Sequence, residues 1–165
     1  MKLLTLLLTF HLLIINTTFA QQKLQPAQWI AKVKKINATT FDIVFTAQLD
    51  AGWFLYSQTQ ERNDGPIPTT FIFQKDKNYQ RKGLVKEGWK NKIKEQDPVF
   101  DMVVVKYKTA AEFTQRVIAT QPKKILVMIE YMTCQATSCL PERYVEFSID
   151  LNKINQVIVP QKVID

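Results

Sequence analysis

The chain has 165 residues, 22 basic against 15 acidic side chains, four glycines, two cysteines and a single histidine, His11, which lies in an apolar leader. Beyond that leader no imidazole remains to act as a base beside serine or cysteine or to ligate a metal, which excludes hydrolase triads and most zinc sites. The glycines are also too few and too scattered to form a phosphate-cradling loop.

Residues 1–20 combine Lys2, an apolar run from Leu3 to Ile15 and the exit Asn16-Thr-Thr-Phe-Ala20, the pattern of a secretory signal cleaved near Ala20. The run is too short to span a bilayer, and no later segment reaches eighteen consecutive apolar residues. Gln21, not a cysteine for a lipid anchor, follows the expected cut. The mature chain is therefore expected to be exported and soluble, with no membrane insertion. Its 145 residues suit one domain around one core. Its 21 basic and 15 acidic side chains leave a balance of +6, and about half of the basic residues fall between Lys75 and Lys108. A nucleic-acid footprint looks similar. Export argues against nucleic acid, and a solvated lysine-rich edge accounts for the same charges.

Taken in order, the apolar periodicity is that of strands. Trp29–Ile36 is a short candidate. Phe41, Ile43, Phe45, Ala47 and Leu49 alternate with polar residues at the two-residue period that turns one face to a core. Trp53–Ser57 and Thr69–Phe73 are further short candidates, separated by the turn-rich Asn63-Asp-Gly-Pro-Ile-Pro68. Lys75–Glu95 reads as a long charged connection. Met102–Tyr107, Phe113 with Val117, then Ile125, Val127, Ile129 and Tyr131, and finally Val145, Phe147 and Ile149 complete the set. Residues 152–165 read as a tail or a late edge strand. No helical stripe of useful length is present, so the pattern predicts an all-β sandwich.

Cys134 and Cys139, the only cysteines, stand in Tyr131-Met-Thr-Cys-Gln-Ala-Thr-Ser-Cys-Leu-Pro141. In an oxidising compartment such a pair is either a staple or a redox centre. A disulfide closing so short a loop gains only about 2 kcal/mol from chain entropy, where a long-range bridge gains about 4 or more. The spacing places both sulfurs on one exposed connection, which suits a bond made and broken by a visiting thiolate. Composition and spacing leave a local structural bridge and redox use side by side. Met128 and Met132 add soft sulfur of the kind that selects Cu(I), although core packing explains them equally well.

The segment Glu130-Tyr-Met-Thr-Cys-Gln-Ala-Thr-Ser-Cys-Leu-Pro-Glu142, followed by the strand Tyr144–Asp150, resembles the redox segment of the amino-terminal domain of the thiol:disulfide interchange protein DsbD. Gly52-Trp-Phe-Leu-Tyr-Ser57 resembles the aromatic segment of that domain. Gly65-Pro-Ile-Pro-Thr-Thr-Phe71 is similar to its continuation in bacteroidete-type relatives. The resemblance spans roughly Trp29 to Leu151. It implies an immunoglobulin-like β-sandwich of seven to nine antiparallel strands over residues 21–151, exported to the periplasm of a Gram-negative bacterium or secreted.

The resemblance also implies thiol–disulfide exchange that needs no cofactor and no metal. Electrons would pass between thioredoxin-like or disulfide-isomerase-like proteins, with a membrane protein as a further donor and cytochrome c biogenesis among the uses. Cys134 and Cys139 become the exchanging pair, with Cys139 entering mixed disulfides and Cys134 resolving them. Phe100, in Gln96-Asp-Pro-Val-Phe-Asp101, becomes an aromatic lid. Asp97 matches the acidic cap residues loosely, and Phe54 and Tyr56 line the site. The chain departs from the family in having four residues between the cysteines where five are frequent, and Glu142 where a second proline is frequent. The family's membrane and thioredoxin-like domains are not expected here, and the chain's electrons are expected from a separate protein. The competing expectation is a secreted binding module, without enzymatic activity, whose disulfide is a permanent brace.

Overall fold

A computed structural model describes residues 24–62, 64–121 and 124–164; the expected signal, residues 1–20, lies outside the described residues. The strands are β1 (Ala27–Lys35), β2 (Thr40–Leu49), β3 (Phe54–Tyr56), β4 (Thr70–Phe73), β5 (Tyr79–Glu87), β6 (Lys92–Asp97), β7 (Met102–Lys108), β8 (Ala110–Ala119), β9 (Lys124–Tyr131), β10 (Thr133–Cys134), β11 (Arg143–Asp150) and β12 (Lys162–Ile164). The described residues form twelve strands where seven to nine were expected; eight have six residues or more, and the other four are short pieces of two to four residues that complete the sheets. Among the described residues there is no helix long and apolar enough to cross a membrane.

Alternation builds the sandwich. Phe41, Ile43, Phe45, Ala47 and Leu49 all leave β2 on one side and are buried, because successive side chains of a pleated strand point to opposite faces. Burial alternates residue by residue along β8, β9 and β11 as well. One antiparallel sheet has the order β1-β2-β8-β5 and a second the order β12-β11-β9-β4. Their inner faces meet in a core that includes Trp29, Phe45 and Phe113 from the first sheet and Phe71, Tyr131 and Phe147 from the second. The Phe45 ring lies 5.2 Å from Phe71 and 5.6 Å from Phe147, and Trp29 lies 5.5 Å from Tyr131. Such aromatic pairs contribute about 0.5–1.5 kcal/mol each beyond the area they bury.

The charged stretch 75–95, expected as a connection, instead contains β5 and the start of β6. Neither strand has a clean apolar face, since each lies at the edge of a sheet and is held by backbone pairing, β5 to β8 and β6 to β7. Gly83, at φ +76°, lies within the register shift between Lys82 and Lys86 that bends β5. Lysines along both edges discourage pairing with other chains. After residue 151 the chain returns across β1 through backbone bridges from Ile154 and Ile158 to Val33 and Ala31, and then adds β12 to β11.

A third sheet, β10-β3-β7-β6, positions the site. One of its faces supplies Leu55 and Tyr107 to the main core, while the other carries a separate buried cluster of Tyr56, Met102, Val104 and Cys134. Glu87 ties this sheet to β5. Its carboxylate accepts hydrogen bonds from Ser57 Oγ at 2.8 and 2.9 Å, from the Gln58 amide, from Lys92 Nζ and from Tyr107 Oη.

Candidate functional site

Strand register decides which side chains share the outer face of the third sheet. Cys134 stands opposite Phe54, Phe54 opposite Lys108, Tyr56 opposite Lys106, and Asp97 opposite Met102. Directly opposed residues lie on the same face, as do residues two apart along one strand. Cys134, Phe54, Tyr56, Lys106, Met102 and Asp97 are thereby brought to one side.

The cysteines close a narrow hairpin. Leu140 N donates to Thr133 O at 3.0 Å and Gln135 N to Ser138 O at 2.9 Å. Between these bonds Cys134 and Cys139 form the non-hydrogen-bonded type of cross-strand pair, in which opposed Cα atoms approach most closely. Their Cα atoms are 4.0 Å apart and their Sγ atoms are bonded. The two sulfurs do not share one exposed connection, as the spacing suggested. Pairing of β10 with β3 seals Cys134 at 0% exposure, whereas Cys139, on the returning arm, is half-buried.

Phe100 occupies the turn between β6 and β7. Asp97 shapes the start of that turn by accepting the Val99 amide on Oδ1 at 3.0 Å, an Asx arrangement. Asp101 completes it in the left-handed region at φ +49°. The Phe100 ring meets Tyr56 edge-on, with centroids 5.9 Å apart. Phe54, Phe100, Met132 and Cys139 pack, partly buried, against Tyr56, Met102, Val104 and Cys134. The six residues named from sequence therefore meet in one region. Gly65 lies against the same cluster, since a Cβ there would stand 2.5 Å from Met102 Sδ. Thr69 Oγ1 donates to Tyr56 O at 2.6 Å.

Sequence reasoning missed Lys106. Its side chain is buried, and its Nζ lies 2.9 Å from Asp97 Oδ2, 3.1 Å from Glu95 Oε1 and 3.9 Å from the centre of the Phe54 ring. The signal was present in the parity of Met102-Val-Val-Val-Lys106, where the lysine takes a position that alternation gives to the inside. Asp97 Oδ2 also accepts the Tyr56 hydroxyl at 3.1 Å. Burial alone pushes the Asp97 carboxyl up, but the hydrogen bonds from Lys106 and the Val99 amide outweigh it and hold the group below the ordinary aspartate value. Burial, then the charge of Asp97, pushes the Tyr56 phenol well above its usual value. The sulfurs considered for Cu(I) are divided: Met132 packs in the site cluster, while Met128 lines a separate groove with Ile72 and Leu126.

An all-β sandwich with a disulfide set in a surface hairpin on its third sheet has the form of an immunoglobulin-like thiol–disulfide interchange domain. The chain belongs to the family described as the N-terminal domain of the thiol:disulfide interchange protein DsbD, whose sequence profile matches residues 20–151. Among solved structures it is similar to the DsbD N-terminal domain of Neisseria meningitidis in the reduced form. That match has a TM-score of 0.56 and 14% identity, and covers 84% of this chain and 96% of that one. It is also similar to the N-terminal periplasmic domain of ScsB from Proteus mirabilis, with a TM-score of 0.53 and 15% identity over 78% of this chain and 48% of that one. No curated protein matches the chain.

Proposed function

We propose that this domain is an exported electron relay in which Cys134 and Cys139 alternate between disulfide and dithiol in exchange with thioredoxin-like or disulfide-isomerase-like proteins. The observation that carries this reading is the placement of the bond. It joins two arms of a hairpin already closed by two backbone hydrogen bonds, with Cys134 sealed and Cys139 only partly buried. A brace adds little to such a turn, whereas a reversible bond needs a turn that keeps its shape when the bond opens. Residues 1–20 act as the export signal and residues 21–151 as the exchange domain. The periplasm is the compartment named for the ScsB domain that this fold resembles, and a membrane protein is a fitting electron source there.

In the reductive direction, a partner thiolate attacks Cys139 Sγ. The Cys134–Cys139 bond breaks, a mixed disulfide forms on Cys139, and Cys134 leaves as a thiolate that takes up a proton. A second partner thiolate then releases Cys139, so two electrons and two protons are gained here while the partner dithiol becomes a disulfide. The reverse sequence reduces an oxidised partner. Phe100 is the lid that a docking protein displaces, and Phe54 and Tyr56 form the floor beneath it. Asp97 sets the turn that carries the lid.

The test mixes the reduced domain with an oxidised thioredoxin-like protein. Wild type should transfer the disulfide within seconds to minutes, Cys139→Ser should lose transfer, and Cys134→Ser should accumulate the mixed disulfide. No exchange over hours refutes the relay. Partner binding that survives replacement of both cysteines by serine, without any exchange, marks a binding module.

A further inference from the structure

Lys106 has a burial that needs explanation. An ammonium at 1% exposure loses its hydration and is tolerated only where fixed charges and dipoles replace it. Its replacements are Asp97, Glu95 and the face of Phe54, and two of these lead directly to the cysteine pair. Phe54 stands opposite Cys134 in register. Asp97 holds the Val99 amide with one oxygen while the other receives Lys106 and Tyr56, and Tyr56 carries the ring of Phe100 on its own. A single ammonium therefore secures the base of the turn, and the turn carries the aromatic side chain that packs on the buried cluster containing Cys134.

We propose that Lys106 is a positioning residue of the exchange site, a buried clamp that holds Asp97 and with it the 97–101 turn closed over Cys134 and Cys139. This rests on the reading of Phe100 as a lid. The clamp makes opening depend on breaking a desolvated ion pair, which a docking surface can do by supplying other contacts and a small thiol cannot. Glu95 keeps the ammonium in place from the outer side and is itself 3.5 Å from Lys108. The charged and titratable groups around Asp97 are Lys106 and Lys108 from β7, Tyr56 from β3, Glu95 from its own strand, and Asp101 in the turn, held by Gln96 Nε2 at 3.2 Å. The bonded cysteines do not titrate. With Lys106 removed, Asp97 becomes a buried carboxylate without its cation. It is then tolerated when protonated at low pH and disruptive when ionised, so the lid should loosen as pH rises.

The test uses a small thiol, so that it is independent of whether any protein partner exchanges with the domain. The oxidised domain is treated with excess dithiothreitol between pH 5 and 8, reduction is followed by alkylation and mass measurement, and each variant's rate is divided by that of wild type at the same pH. This division cancels the titration of the reagent. Lys106→Met should be reduced roughly tenfold faster at pH 7, the order expected from loss of a charge-assisted hydrogen bond, with a ratio that falls towards one at pH 5. Lys106→Arg should restore a flat ratio near one. Lys106→Met combined with Asp97→Asn, which puts a neutral side chain where the protonated carboxyl would stand, should match the low-pH limit of Lys106→Met, with a ratio near one that is independent of pH. A Lys106→Met rate equal to wild type throughout overturns the proposal, as does an acceleration that neither depends on pH nor is rescued by arginine, since that reports only general loosening. Should circular dichroism show Lys106→Met to be unfolded, Asp97→Asn opens the clamp from the other side, and a wild-type rate in that variant overturns the proposal equally.

Discussion

Phe100→Ala separates a lid from an ordinary packing residue. The ring makes one edge-to-face contact, with Tyr56 at 5.9 Å, and is half-buried against the cysteine cluster. The ring contact contributes about 0.5–1.5 kcal/mol, and half of the burial energy of a phenylalanine is roughly 1 kcal/mol. Removing about 2 kcal/mol from the closed turn should raise the population of the open turn by up to roughly 30-fold. If a small thiol reaches Cys139 only through the open state, the rate of dithiothreitol reduction should rise by the same order, read by alkylation and mass measurement at pH 7. Phe73→Ala is the matched control, because Phe73 is also partly buried but packs on the main core, 6.3 Å from Phe45. It should lose stability without changing the reduction rate. A wild-type reduction rate in a folded Phe100→Ala protein, or the same acceleration in both variants, would refute the assignment.

Two further outcomes follow from the geometry. Reduction of the disulfide should leave the far-ultraviolet spectrum unchanged and lower stability to urea by about 2 kcal/mol, the entropy of a loop this short; a loss of twice that size would mean that the bond is a structural brace. Acid should destabilise the fold through Glu87 and Asp97. Burial alone would push the Glu87 carboxyl up, but hydrogen bonds from Lys92, the Gln58 amide and Ser57 hold it below its ordinary 4.5, and Asp97 is likewise held below 3.8. Groups depressed in the folded state contribute stability that is fully present above their ordinary values and is lost as pH falls through the lowered ones. Urea midpoints should therefore be level from pH 7 to about pH 5 and fall below pH 4.5, and Glu87→Gln should flatten part of that fall; an unchanged slope in the variant would remove Glu87 from the account.

The sandwich was legible because its long inner strands bury one face each. Phe41 to Leu49, Ile125 to Tyr131 and Val145 to Ile149 spell a two-residue period that few other structures accommodate. The cysteine pair was legible because the export expected from the apolar leader and a four-residue gap restrict what two thiols can do, and the neighbouring aromatic and cap segments could be named from their resemblance to a family. Tertiary structure alone decided the rest. β5 and β6 are edge strands held by backbone bonds that any side chain can make, so Tyr79–Glu87 and Lys92–Asp97 give no apolar signal. The unequal burial of the cysteines follows from pairing of the two-residue β10 with β3, across a gap of nearly eighty residues. The clamp of Lys106 on Asp97 depends on the register of the β6–β7 hairpin. A lysine in a sequence is ordinarily a solvated charge, and only the convergence of two carboxylates and an aromatic ring, brought in by two strands, makes burial of this one tolerable.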